Sequence, residues 1–229
     1  MLIVIQNDPE VPLGAYADYL AELDVPYRLF HPYEEEMLPE AGEVSAAIVL
    51  GGAMGVHDTD RHPFLREVNC FIGGAIAQDL PFLGICLGGQ LLASLLGAPV
   101  TTNSPFGEKG TLPVTLTDDG EADPLFAGID REFVTFQWHN DSFVVPEGGV
   151  LLASSTACPD QAFRYGSNAY GIQFHPEVNR EIVANWSSWT EETAARTGQF
   201  LAEFDHRAED YNAASRQLLV NFLRIARLD

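Results

Sequence analysis

The chain predicts an α/β fold of three layers, with a mostly parallel sheet, helices on both faces and an antiparallel extension. Three features carry that expectation. Short apolar runs alternate with segments of helical periodicity from Met1 to Leu96, as strands joined by crossover helices do. From Leu112 onward, strand-like pieces separated by Gly, Pro and Asp replace the alternation. Two apolar runs also end in glycine-rich turns, at Gly51-Gly52 and around Cys86, the positions where a parallel sheet gathers its functional loops.

The elements follow in order. Met1–Gln6 is a continuous apolar run, as expected of a strand buried on both faces. Leu13–Leu23 has helical spacing, Ala46–Leu50 is a second apolar strand, and Phe64–Gln78 is a helix. Pro81–Ile85 is the third strand, and Leu87–Leu96 is a helix that starts directly after Cys86. Leu112–Leu116, Phe133–Gln137, Val150–Ala153, Gln161–Arg164 and Tyr170–Phe174 form the antiparallel extension. Its last strand carries His175 back toward Cys86. Arg180–Trp189 and Asp210–Leu228 are helices, with Glu191–Glu209 helical in part; Trp186 and Trp189 either pack on the domain, which apolar helical spacing favours, or form a partner surface. No linker divides the chain, so it reads as one flavodoxin-like domain over residues 1–229 with a helical tail from about residue 180.

Gly84-Ile85-Cys86-Leu87-Gly88 is the cysteine version of the G-x-S-x-G nucleophile elbow. Glycines on both sides relieve the crowding of a sharp strand-to-helix turn, and the helix N-terminus favours a thiolate. Taken alone, the same frame also suits a buried apolar cysteine. A thiolate nucleophile needs a base, and histidine is suited to that near neutrality. His31, His57 and His62 lie in loop-like segments and His206 in a charged helical stretch, so surface positions are expected for all four. His175 instead ends a strand-like run, is held extended by Pro176, and has Glu177 two residues on to orient it.

Three ordered segments, Gly84-Ile-Cys-Leu-Gly-Gly-Gln90, Ile48-Val-Leu-Gly-Gly-Ala-Met-Gly55 and Gly171-Ile-Gln-Phe-His-Pro-Glu177, resemble the class I, triad-type glutamine amidotransferases. The stand-alone members similar to the amidotransferase domain of GMP synthetase are the nearest in pattern. Gln161-Ala-Phe-Arg164 and Gln137-Trp-His-Asn-Asp-Ser142 also look like segments of that family, and the resemblance runs from about residue 1 to about residue 180. It implies Cys86 as the nucleophile, His175 as base then acid, and Glu177 as its orienter. It also implies Gly52 and Leu87 N–H groups as the oxyanion hole, and Gln90, one helical turn after Cys86, as a contact for the substrate glutamine. His139 and Asp141 either line the cleft or belong to an ordinary strand-end loop.

Composition narrows the classes further. With 33 acidic and 12 basic residues, a net charge of -21, and Lys109 as its only lysine, the surface repels nucleic acid and anionic lipid. It fits adaptation to a salty cytoplasm. No apolar run is long enough to cross a bilayer and Met1–Gln6 lacks a signal peptide's basic region, so neither membrane nor export is expected. Cys70, Cys86 and Cys158 are an odd number without metal-ligand spacing, which points to a reducing, cytoplasmic setting, no metal and structural roles for Cys70 and Cys158. No nucleotide-binding motif occurs, and no cofactor is expected.

The expected activity is hydrolysis of the glutamine amide through a Cys86 thioester, with the ammonia passed to a separate synthetase. That partner would dock over Cys86 and order the Gly51–Val56 loop. A γ-glutamyl peptide hydrolase with the same triad, and a non-enzymatic binding module on the same fold, are the alternatives.

Overall fold

A computed structural model describes residues 1–229. Its first half contains β1 (Leu2–Ile5), α1 (Ala15–Glu22), β2 (Tyr27–Phe30), β3 (Ala46–Val49), α2 (Leu65–Ala77), β4 (Phe82–Ile85), α3 (Leu87–Leu95), β5 (Val100–Thr101) and β6 (Glu108–Leu116). The second half adds α4 (Asp118–Ala122), β7 (Glu132–His139), β8 (Ser142–Phe143), β9 (Gly149–Ser154), β10 (Ala162–Tyr165), β11 (Ala169–Ile172), α5 (Arg180–Ser187), α6 (Glu191–Ala194) and α7 (Thr197–Ile225).

The central strands are apolar at every position because both faces of the sheet are covered. Leu2 and Val4 of β1, with Ala46 and Ile48 of β3, pack against Tyr16 and Leu20 of α1 and Leu218–Phe222 of α7. Ile3, Ile5, Ala47 and Val49 point the other way, onto Leu65, Val68 and Ile72 of α2 and Leu91 and Leu92 of α3. A period of two along each strand thus feeds two cores. A third cluster joins Val134 and Phe136 of β7 to Trp186 of α5 and to Phe200, Phe204 and Tyr211 of α7.

The large sheet has the order β2-β1-β3-β4-β11-β10-β9-β6-β7. β2, β1, β3, β4 and β11 are mutually parallel, and β10, β9, β6 and β7 continue the sheet antiparallel. This is the three-layer α/β architecture with its antiparallel extension. β5 and β8 form a separate two-stranded ribbon. None of the helices is long and apolar enough to cross a membrane.

Three departures from the sequence reading have physical causes. β2 was not expected because an edge strand, paired only with β1, needs no continuous apolar run; Arg28 lies over the Phe30 ring, 4.3 Å from its centroid. β6 begins at Glu108, before the expected Leu112, because register with β7 extends its polar end to Glu108↔His139. Residues 197–225 form one continuous helix, and the expected Asp210–Leu228 helix is its C-terminal half.

Candidate active site

β4 ends at Ile85, and the next residue, Cys86, has φ 49° and ψ -106° before α3 begins at Leu87. A non-glycine residue there is strained and is held only if its surroundings over-determine it. Two glycines make the turn possible. A β-carbon on Gly88 would lie 2.1 Å from the Val49 carbonyl oxygen, and one on Gly84 would lie 2.5 Å from the Gly88 backbone. Without those side chains, the first turn of α3 sits directly on β3 and β4.

The parallel register Ile85↔Ile172 fixes the rest of the site. Cys86 N–H donates to Ile172 O at 2.8 Å, so the chain leaving β11 runs alongside the thiol. His175 N–H donates to Phe136 O at 2.8 Å, and its Nδ1 lies 2.7 Å from Glu177 Oε1. The His175 ring packs edge-on to Trp186 at 4.8 Å between centroids. From behind, Tyr211 Oη donates to His175 O at 3.0 Å and to Val178 O at 2.8 Å, and Ser215 Oγ donates to Pro176 O. The C-terminal helix therefore clamps the His-Pro-Glu turn.

Electrostatics at this cluster favour a cationic imidazole. Burial alone would push His175 down, but the Glu177 carboxylate and Cys86 outweigh it and raise the imidazole to about 10. Glu177 is fully buried, and its Oε2 makes no hydrogen bond. Burial, and then the Glu177 charge, push the phenols of Tyr16 and Tyr211 well above their ordinary value, so both stay neutral beside it.

The Gly51-Gly52 turn meets the same point. A β-carbon on Gly51 would lie 3.1 Å from His175 Cε1 and 3.5 Å from Cys86 Cβ. Gly52 and Cys86 line one pocket, and Leu87, as the first residue of α3, has an N–H without an intrahelical acceptor. Three hydrogen bonds from the chain itself hold the loop. Asn7 Nδ2 donates to Leu50 O at 2.8 Å, Ala53 N–H to Asp8 Oδ2 at 3.0 Å, and Gly55 N–H to Asp58 Oδ2 at 2.8 Å.

Gln90 reaches the pocket with its NH₂ engaged, donating to Gln173 Oε1 at 3.2 Å and to Asp141 O at 3.4 Å, while its Oε1 makes no hydrogen bond. Gln173 Nε2 in turn donates to Cys86 Sγ at 3.5 Å. The sequence reading missed Gln173, although it stands two residues before His175 and so shares its face of an extended chain. His139 and Asp141 both line the pocket, as do Lys109 and the partly exposed Trp189, whereas Trp186 is buried as expected. The pocket measures about 190 Å³. Lys109 Nζ stands over the Trp138 ring, 5.8 Å from its centroid. Of the other cysteines, Cys158 is buried and Cys70 is exposed on α2.

Comparison with known proteins finds related sequences and folds. The family model "Glutamine amidotransferase class-I" matches residues 14–182. The glutamine amidotransferase-like protein YfeJ of Salmonella typhimurium is 34% identical over 174 residues, covering 74% of this chain and 72% of that protein. A glutamine-hydrolysing GMP synthase of Aeropyrum pernix is 32% identical over 185 residues, or 76% of this chain but only 34% of that protein. The crystal structure of a glutamine amidotransferase from Thermotoga maritima superposes with a TM-score of 0.87 at 27% identity, covering 98% of this chain and 97% of that one.

Proposed function

Because the chain belongs to the class I glutamine amidotransferase family, we propose that it hydrolyses the side-chain amide of glutamine through a thioester on Cys86. The observation that carries this reading is the strained Cys86 turn beside an imidazole held at 2.7 Å by a buried carboxylate. His175 holds the proton taken from the thiol as an imidazolium, and the Cys86 thiolate attacks the amide carbon. The oxyanion that forms is met by the N–H groups of Gly52 and Leu87. The cationic His175 then protonates the leaving nitrogen, and ammonia departs from a γ-glutamyl thioester. With ammonia gone, His175 takes a proton from water, which attacks the thioester and releases glutamate. Glu177 orients the imidazole throughout and stabilises its cation. Gln173 and Gln90 position the sulfur.

The amino-acid end of glutamine is a zwitterion and needs one group of each charge. Lys109 and Asp141 line the pocket that Cys86 opens into, and they are the groups we assign to the α-carboxylate and α-ammonium. Ammonia made here would be consumed by a separate synthetase seated over the mouth near Trp189, with the reaction proceeding in the cytoplasm.

Steady-state kinetics on glutamine and on γ-glutamyl dipeptides, with ammonia and amino-acid release measured separately, test the reading. Slow glutamine hydrolysis that a synthetase accelerates, and that Cys86→Ala abolishes, is the expected result. Much faster dipeptide cleavage would make the protein a γ-glutamyl peptide hydrolase. No turnover of either would leave a binding module.

A further inference from the structure

Beyond the catalytic pocket, the antiparallel extension gathers three side chains that no linear spacing connects. Glu108 opens β6, His139 ends β7 directly opposite it, and Cys158 sits in the turn between β9 and β10. Their ligand atoms all lie within 4.8 Å of one another, with His139 Nε2 3.8 Å from Glu108 Oε2. At zinc bond lengths of about 2.0 to 2.3 Å, the corners of a tetrahedral site stand about 3.3 to 3.7 Å apart. The His139–Glu108 edge is therefore close to that of a filled site, and the widest edge exceeds one by at most about 1.5 Å.

Hydrogen bonds hold the cluster from its sides: the Cys158 thiol donates to Asp160 O at 3.6 Å, and Glu108 accepts through Oε2, which leaves Oε1 as the carboxylate oxygen open to an ion. A carbonyl oxygen only accepts, so the 2.9 Å contact between His139 Nδ1 and Asp141 O requires the proton on Nδ1. In the neutral ring, Nε2 then carries a bare lone pair, and it points at a carboxylate. That nitrogen is buried without a hydrogen-bond partner, on a side chain 1% exposed. Ser155 Oγ donates to Glu108 Oε2 at 2.7 Å, and Gln161 Nε2 donates to the same oxygen at 2.5 Å. Ser155 Oγ also accepts from Cys158 N–H at 2.9 Å, which ties the cysteine to the carboxylate's support. Glu108 and His139 line a polar pocket open to solvent, which gives an ion a way in.

We propose that Glu108, His139 and Cys158 form a binding site for a borderline-soft divalent cation of the Zn²⁺ type. One imidazole, one thiolate and one carboxylate suit that ion, whereas Mg²⁺ and Ca²⁺ take oxygen donors. Forming the sulfur–metal bond releases the Cys158 proton to solvent, and the two anionic ligands then balance the ion's charge. A solvent molecule from the open pocket completes four-coordination. Asp141 O accepts from both His139 Nδ1 and Gln90 Nε2, so two hydrogen bonds link the imidazole ligand to Gln90 in the substrate pocket.

Chelator-stripped protein reloaded with Zn²⁺ is expected to retain one ion per chain after buffer exchange, read by native mass spectrometry. Co²⁺ in its place should give a thiolate-to-metal charge-transfer band in the near ultraviolet. The band should persist in Cys86→Ser and Cys70→Ser and vanish in Cys158→Ser. Ser155→Ala, which removes an outer support of Glu108, should weaken Zn²⁺ binding by about 10- to 100-fold. Wild-type protein that retains no stoichiometric Zn²⁺ overturns the proposal whatever the variants do. A band that survives Cys158→Ser, or that disappears in Cys86→Ser, also overturns it by placing the metal at another thiol.

Discussion

Replacing Glu177 by glutamine keeps the shape of the buried pair and removes its charge. The 2.7 Å contact to His175 Nδ1 is fully desolvated, and a hydrogen bond to a charged partner contributes about 1.5–3 kcal/mol. At about 1.36 kcal/mol per decade, that alone lowers kcat by roughly 10- to 150-fold. An amide can also present its NH₂ group to the ring and select the wrong tautomer, a fault that costs about 10⁴-fold in the serine triad. The expected loss in kcat therefore lies between roughly 10- and 10⁴-fold, with KM nearly unchanged because Glu177 is buried behind the imidazole. His175→Ala should remove nearly all turnover. The pH profile is the sharper readout. Burial pushes His175 down, and the Glu177 carboxylate, with Cys86, pushes it up past that to about 10. Activity that needs the imidazolium should therefore decline only as pH rises through that raised value. In Glu177→Gln, burial is less opposed, and the alkaline limb should move to lower pH. The stability linked to the raised value has the same sign: it is fully present below about pH 6.5, the unfolded-chain value, and is lost as pH rises through the folded one. A variant with wild-type kcat and an unmoved alkaline limb would refute the role assigned to Glu177.

Three further outcomes are expected. A glutamine-analogue alkylator should label Cys86 and spare the other thiols, since burial, foremost, pushes Cys158 up to about 12 and Cys70, though exposed, lies on α2 outside the pocket that would hold the analogue; peptide mapping with the label mainly elsewhere would remove Cys86 from its role. Gly88→Ala, whose new carbon would meet Val49 O at 2.1 Å, should destabilise by more than about 3 kcal/mol and lower Tm by roughly 6–12 °C. Gly73→Ala, with nothing within 4 Å in the middle of α2, should hold or raise Tm, and equal melts for the two variants would contradict the close-packing argument. With a net charge of -21, the protein should melt lower in 0.1 M than in 1 M salt, because the Debye length grows from about 3 Å to about 10 Å; a Tm independent of salt would leave the charge unrelated to salt adaptation.

The parallel half of the fold could be read from the sequence because each of its central strands is buried on both faces and each crossover helix has one apolar stripe. The edge strand β2 could not, since Tyr-Arg-Leu-Phe is buried fully only at Phe30. The Cys86, His175 and Glu177 positions were readable because backbone geometry constrains residue type there: glycines beside a left-handed cysteine, and a proline after the histidine. Gln173, Lys109 and the Glu108–His139–Cys158 cluster were harder to find. Their proximity comes from strand pairing over long separations, and only Gln173 carried a local clue, its spacing of two from His175. The work of the tail beyond residue 180 is remote in sequence: Tyr211 and Ser215 hold the backbone that presents His175.

The strand that delivers His175 is the last of the sheet to be synthesised, yet it lies fifth of nine, in the middle. While the ribosome is still making residues 86 to 168, β1 to β4 can pair, but β4 is an open edge whose backbone groups face whatever strand arrives first. During that interval Cys86 has neither His175 beside it nor the Ile172 carbonyl that holds its turn. Insertion of β11 ends both conditions in one event, closing the exposed edge and bringing His175 beside the thiol. A nascent or truncated chain is therefore vulnerable to mispairing at the stage when its cysteine stands alone, and under the proposed function the thiol becomes reactive only in a sheet already sealed.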